Sequence, residues 1–247
     1  LFEPGAGGVF SFSPDGSRVA LVTPTGVSLA KSDGSERKAN LVTFPGISTY
    51  SEYQFYPNVR WAADGSRLLA AIPSQDPLAA NPTMTVWQID AASGQPGQVG
   101  TFPFDLSLFF AQNVSAPDLT SIAYLKRIGA AENNNWELHV ARLDGSQDNM
   151  LRSGIVRFVA WSPDSKWVTI EDGSELLNGN LSNGNFSPLA DHLPATGAAW
   201  VDGGRFLYWN GAGQSWSLRL GGFIAASQEV GQSTVDVSMF AFTTGVE

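Results

Sequence analysis

The chain offers few side chains that could do chemistry. Its only histidines are His139 and His192, and it has no cysteine. A three-histidine zinc site and any thiolate site are thereby excluded, and no H-E-x-x-H sequence occurs. A G-x-S-x-G nucleophile elbow, a Walker A loop and a G-x-G-x-x-G stretch are also missing. What remains is carboxylate chemistry. Two carboxyl groups at the correct separation supply a general acid and a base or nucleophile for glycoside hydrolysis, and Glu52, Asp105, Asp191 and Asp236 are the candidates. His139 lies in "WELHVARL", where strand alternation puts it on the same side as Glu137. A hydrogen-bonded structural histidine is expected there.

Composition narrows the function classes further. The chain of 247 residues is 43% hydrophobic, only 15% charged and 11% aromatic, with 26 Gly and 14 Pro. That mixture suits many short strands joined by turns, in one domain over 1–247. A formal net charge of −9 repels a phosphate backbone, and no basic run interleaved with aromatics offsets it, so nucleic acid is not an expected partner. No apolar run reaches the roughly 20 residues of a membrane-spanning helix. Neither a metal nor a cofactor is expected. Three N-x-S triplets, at Asn113, Asn180 and Asn185, read as turn composition rather than glycosylation sites.

The elements that must position any site come from an internal repeat. Aligned turns are Phe12-Ser-Pro-Asp15-Gly16, Trp61-Ala-Ala-Asp64-Gly65, Ser115-Ala-Pro-Asp118, Trp161-Ser-Pro-Asp164 and, one residue shorter, Trp200-Val-Asp202-Gly203. Their aspartates stand 49, 54, 46 and 38 residues apart, around the roughly 40–50 residues of a four-stranded propeller blade. After each turn comes an apolar run, such as "RVALVT" from Arg18 or "WVTIE" from Trp167, and then a second run that ends at a turn, such as "VSLAKSDG". Each unit therefore reads as strand A, tight turn, strand B, loop, strand C, Gly-containing turn, strand D. Ser165 stands where Gly16 and Gly65 stand. A left-handed conformation costs a non-glycine residue about 1–2 kcal/mol, so a rearranged turn is expected there.

With its downstream Asp33-Gly34-Ser35 and Asp144-Gly145-Ser146 turns, the W/F-S-P-D-G motif resembles the TolB-type, or SPDG, β-propeller repeat of bacteria. The same repeat occurs in the propellers of prolyl-oligopeptidase-like enzymes, whose hydrolase domain is not expected within these residues, which hold no G-x-S-x-G elbow. The resemblance covers about residues 8 to 231, strong in units 1, 2 and 4 and degenerate in 3 and 5. It implies an all-β propeller of four-stranded antiparallel blades, with units near 8–45, 46–103, 104–152, 153–190 and 191–231. Five blades are favoured, with "VDVSMFAF" at 235–242 as a closing strand; the alternative is six, with that run opening the sixth. Trp61, Trp161 and Trp200, at equivalent positions, are expected between blades.

In such a ring the A–B and C–D turns emerge on one face and the B–C and D–A loops on the other. The long loops all fall on the second face, in units 2 and 3: 45–58, 73–83, 101–110 and 126–135. Long loops on a rigid scaffold carry recognition. Candidate binding residues are Tyr50, Tyr53, Phe55, Tyr56, Phe104, Phe109, Asn133 and Asn134, with half or more of the loop aromatics expected to pack beneath the loops. The expected function is non-catalytic binding of a protein partner, a glycan or another cell-envelope component, extracytoplasmic by resemblance. The alternative is a five-bladed glycosidase in which Glu52, Asp105, Asp191 and Asp236 ring the channel mouth.

Overall fold

A computed structural model of the chain describes residues 7–111, 113–129, 135–173, 175–188, 198–212, 215–222 and 227–234. The proposed closing strand at 235–242 lies outside them, as do Asn133, Asn134, Asp191, His192 and Asp236. The described residues form five antiparallel sheets, and the chain is an all-β propeller with one sheet to a blade. Blade 1 comprises β1 (Val9–Phe12), β2 (Arg18–Thr23), β3 (Gly26–Lys31) and β4 (Lys38–Thr43). Blade 2 comprises β5 (Asn58–Trp61), β6 (Arg67–Pro73), β7 (Thr83–Asp90) and β8 (Pro96–Pro103). Blade 3 has β9 (Ser121–Arg127), β10 (Trp136–Arg142) and β11 (Asn149–Gly154). Blade 4 has β12 (Val156–Trp161), β13 (Trp167–Asp172), β14 (Glu175–Asn180) and β15 (Phe186–Pro188). Blade 5 has β16 (Ala198–Trp200), β17 (Arg205–Ala212), β18 (Ser215–Gly222) and β19 (Gln228–Ser233).

Blades 1 to 4 start from the same hairpin, and blade 5 from one a residue shorter. In the first, Ser13 donates its amide to Arg18 O at 2.9 Å and Gly16 to Ser13 O at 2.8 Å; Ser162 and Ser165 repeat this toward Trp167 O and Ser162 O at 2.9 and 3.0 Å. The turn aspartate accepts the amide two residues ahead, from Ser17 to Asp15 at 3.1 Å, Ser66 to Asp64 at 3.0 Å and Thr120 to Asp118 at 3.0 Å. This Asx geometry explains the Asp. The residue after it must take positive φ, which is 69° at Gly16 and 69° at Gly65. Contrary to the expected rearrangement, Ser165 adopts the same conformation at 60°. Its hydroxyl offsets part of the strain by accepting the amide of Asp118 from the blade 3 turn at 3.0 Å.

Blade 3 departs from the expected four strands. Its inner strand is reduced to one bridge, Ser115 with Ile122, flanked by Ala123 N to Val114 O and Ala116 N to Ser121 O, each 2.9 Å. The chain that would have lengthened it is used by a 3-10 helix, Leu106–Phe110, capped by Asp105. Ser115 stands where the other units carry an aromatic, so the strand also lacks its packing anchor.

Blades are joined through those aromatics. Trp61, Trp161 and Trp200 are only 8%, 5% and 8% exposed, as expected of residues between blades. The Trp61 indole N–H donates to Ser11 O of blade 1 at 3.1 Å, and that of Trp161 to Val114 O of blade 3 at 2.9 Å. Trp200 donates to Thr169 Oγ1 of blade 4 at 2.9 Å. Blade 3, lacking the tryptophan, uses Asn113 Nδ2, which donates to Val59 O of blade 2 at 3.2 Å. Apolar side chains fill the space around these bonds, in one cluster between blades 1 and 2, a larger one through blades 2, 3 and 4, and a third between 4 and 5.

Trp161→Phe keeps most of the ring but removes the indole donor, leaving Val114 O bonded to Ala123 N alone, and should cost about 1 kcal/mol in urea unfolding. Trp161→Ala, which also opens a cavity, should cost about 3–5 kcal/mol. At Ser165 the two opposed terms separate: Ser165→Ala loses the bond from Asp118 without relieving φ and should cost about 1 kcal/mol, whereas Ser165→Gly should be close to neutral in the same measurement.

Candidate functional site

The long loops of blades 2 and 3 meet on one face and are tied together by main-chain and side-chain bonds. Ser48 N donates to Gln75 O at 2.9 Å, joining the loop before β5 to the loop after β6. Tyr50 donates its hydroxyl to Asp76 Oδ1 at 2.6 Å, and Leu78 donates its amide to the same oxygen at 2.9 Å. The Tyr50 hydroxyl, then the Leu78 amide, hold the Asp76 carboxyl below its ordinary range; reciprocally, Asp76 pushes the Tyr50 phenol up. Tyr50 sits at φ 56°, an uncommon conformation for a bulky residue that the bond to Asp76 helps to hold. Phe104 N bonds to Pro82 O at 3.0 Å, joining the β6–β7 loop to the chain that leaves β8.

These loops and the end of β9 enclose a cleft of about 500 Å³, with Pro77, Leu78, Pro82 and Phe104 on its apolar side and Asp105 and Arg127 on its polar side. Asp105 is 5% exposed. It accepts Ser107 N at 2.9 Å and Ser107 Oγ at 2.8 Å, and pairs with Arg127 Nη2 at 3.0 Å. Burial pushes the Asp105 carboxyl up, but the Ser107 amide and the Arg127 guanidinium outweigh it and keep the group below its ordinary range. Arg127 is itself steadied over the Trp136 ring, 5.8 Å from its centroid.

Beside the cleft a polar chain runs along blade 3. Lys126, also in the lining, pairs with Glu137 at 3.3 Å, and Glu137 Oε2 lies 3.2 Å from His139 Nε2. His139 Nδ1 lies 2.9 Å from Asp148 Oδ1, whose other oxygen accepts the Tyr124 hydroxyl at 2.7 Å. Tyr124 stacks on His139 at 5.0 Å, and burial, then Asp148, pushes its phenol far above the ordinary range. His139 is thus a structural histidine held by both flanking carboxylates.

The candidate residues divide by position. Tyr50 and Tyr53 are 63% and 83% exposed, and with Leu78 at 53% they present the large apolar surface of these loops. Phe55 and Tyr56 are half-buried, Tyr56 against the blade 1–2 cluster, and Phe104 is 5% exposed in the cleft floor. Phe109 lies in the 3-10 helix. Of the carboxylates, Glu52 belongs to the blade 2 loop, while Asp105 is committed to Ser107 and Arg127. A carboxyl kept ionised by an adjacent guanidinium does not retain the proton a general acid must donate. Among the described residues no three His, Asp or Glu side chains converge as a metal site. Sequence reading overlooked Asp76, Leu78 and Arg127; only the length of the 73–83 and 126–135 loops pointed toward them.

No protein-family model matches the sequence, and no curated protein matches it either. Solved structures do. A putative TolB from Agrobacterium tumefaciens shares 12% identity at a TM-score of 0.51, over 91% of this chain and 80% of that one. An oligogalacturonate lyase from Vibrio parahaemolyticus shares 12% at 0.60, over 89% of this chain and 64% of that one. The β-propeller domain of the Trilobed protease from Pyrococcus furiosus shares 14% at 0.59, over 90% and 68%. At such identities the likeness establishes a TolB-like propeller fold.

The Asp105–Arg127 pair makes two predictions. Arg127→Met should cost about 3 kcal/mol in urea unfolding, because it leaves a buried carboxylate without its counter-ion. Since the folded pKa of Asp105 lies below its unfolded value, its contribution is fully present above the unfolded value, near 3.9, and is lost as pH falls through the folded one. The difference in stability between the wild type and Asp105→Asn should therefore be constant at neutral pH and shrink as pH falls below about 4.

Proposed function

We propose that this chain is a non-catalytic recognition propeller of the SPDG repeat type, working outside the cytoplasm of a bacterium, and that it binds a protein partner, or a glycan, of the cell envelope through the loop face of blades 2 and 3. The observation that carries this reading is the cleft between Pro77, Leu78, Pro82 and Phe104, rimmed by the exposed Leu78, with the exposed Tyr50 bonded to Asp76 next to it. Large amphipathic rings fixed beside a concave apolar surface are the usual anchors of recognition. Preorganisation supports it as well. The Tyr50–Asp76 bond and the Ser48–Gln75 bond hold the loops in one arrangement, so less conformational freedom is lost on binding. No helix among the described residues is long and apolar enough to cross a membrane.

The structure selects the variants for a test. Removing the whole 45–58 loop would uncover the core, because Ile47 is 5% exposed and Tyr56 packs against the blade 1–2 cluster. Tyr53→Ala and Leu78→Asp change exposed side chains and should leave stability within about 0.5 kcal/mol. In a pull-down from bacterial envelope extract, the double variant should lose the partners retained by the wild type. Retention of every partner by a folded double variant would place recognition elsewhere.

A further inference from the structure

Among the described residues, one arginine of the ring has a buried nitrogen with no partner. Arg60 lies in β5, the innermost strand of blade 2, and its Nε is buried with no hydrogen-bond acceptor. Among the described residues no carboxylate pairs with it, whereas Arg157 on the inner strand of blade 4 meets Glu171 at 2.9 Å. Burial alone pushes the Arg60 guanidinium down. An uncompensated charge out of water is costly, and replacing it with an apolar group would remove that cost.

Arg60 is placed by the pleat of the strand. Val59 and Trp61 pack into the cluster shared with blade 1, and Trp61 donates to Ser11 O. Arg60, between them, points to the opposite face. Its cross-strand neighbour there is Leu69, a member of the cluster that continues into blades 3 and 4. The same position before the aromatic holds Ser11, Val114, Ala160 and Ala199 in the other units. The guanidinium therefore occupies a place that is otherwise small, at the inner edge of the seam between blades 2 and 3. There the inner strand of blade 3 is only the Ser115 bridge, with Asn113 reaching across to Val59 O.

We infer that Arg60 anchors an anion site at this inner seam, separate from the loop surface, which takes an oxyanion of the carboxylate or phosphate type. The planar fork of a guanidinium matches two oxygens of either group, and a hydrogen bond to a charged acceptor compensates the buried Nε in a way that water on the outer nitrogens does not.

The test uses the whole chain at constant ionic strength in chloride, with acetate or inorganic phosphate replacing chloride, read by thermal unfolding and by the Arg60 Nε–Hε NMR signal. The signal is assigned by its absence in Arg60→Met. Expected results are a saturating shift of that signal and a rise in Tm of a few degrees, both lost in Arg60→Met, which in chloride alone should be no less stable than the wild type. A response to phosphate only, or to acetate only, identifies which oxyanion the site takes. An equal rise in Tm in Arg60→Met would overturn the site, as would an Arg60 signal unmoved at tens of millimolar of both anions. Where Arg60→Met does not fold, Arg60→Lys, which keeps the charge and loses the fork, should bind at least several-fold more weakly; equal binding would count against the proposal.

Discussion

Everything in this ring rests on how one blade is seated on the blade before it. A four-stranded sheet has two apolar faces and cannot cover both alone, so it must stack. Stacking by apolar contact leaves the sliding register of two sheets weakly defined. The indole donors of Trp61 and Trp161 define it, because each must reach a single carbonyl, Ser11 O or Val114 O, on the inner strand of the preceding blade. Trp200 does the same through Thr169 Oγ1, which in turn bonds Asn178 Oδ1 at 2.8 Å. Each bond is buried or partly buried, so misregister would leave an unpaired indole N–H between the blades.

Blade 3 shows what happens when that anchor changes. Without an aromatic at Ser115, the seam is held by the smaller Asn113 amide, and the inner strand shrinks to a bridge. The chain thus released forms the capped 3-10 helix, whose capping residue, Asp105, is also the buried acid of the cleft. The irregularity of one blade and the presence of a polar floor beneath the loops are one feature. The seam on the inner side of the same blade is where Arg60 stands, with no counter-ion among the described residues. Aspartates Asp15, Asp64, Asp118 and Asp164 all belong to A–B turns, each spent on its own hairpin.

This division of labour suits a recognition protein. The turn face repeats because the ring requires equivalent blades, and there is little room in it for a specific surface. The loop face varies in length from blade to blade, and its exposed side chains, such as Tyr53 and Leu78, are free to differ without disturbing the seams. The same propeller scaffold is found in proteins as different as a TolB, a lyase and a protease domain.

From the sequence alone it was possible to read the all-β ring, the hairpin at the start of each blade, the burial of Trp61, Trp161 and Trp200, the structural role of His139 and the blades whose loops are long. These properties are local or periodic: a turn needs four or five neighbouring residues, and a repeat displays its equivalents side by side. Sequence reading erred at Ser165, whose left-handed backbone is tolerated because a hydroxyl from one blade meets an amide of the next. Only the tertiary structure decided that Tyr50 meets Asp76, that Asp105 meets Arg127, that Phe104 is a floor rather than a rim, and that the Arg60 Nε is buried with no acceptor among the described residues. Each of those outcomes depends on where separate loops or strands arrive in space, and no spacing along the chain encodes that arrival.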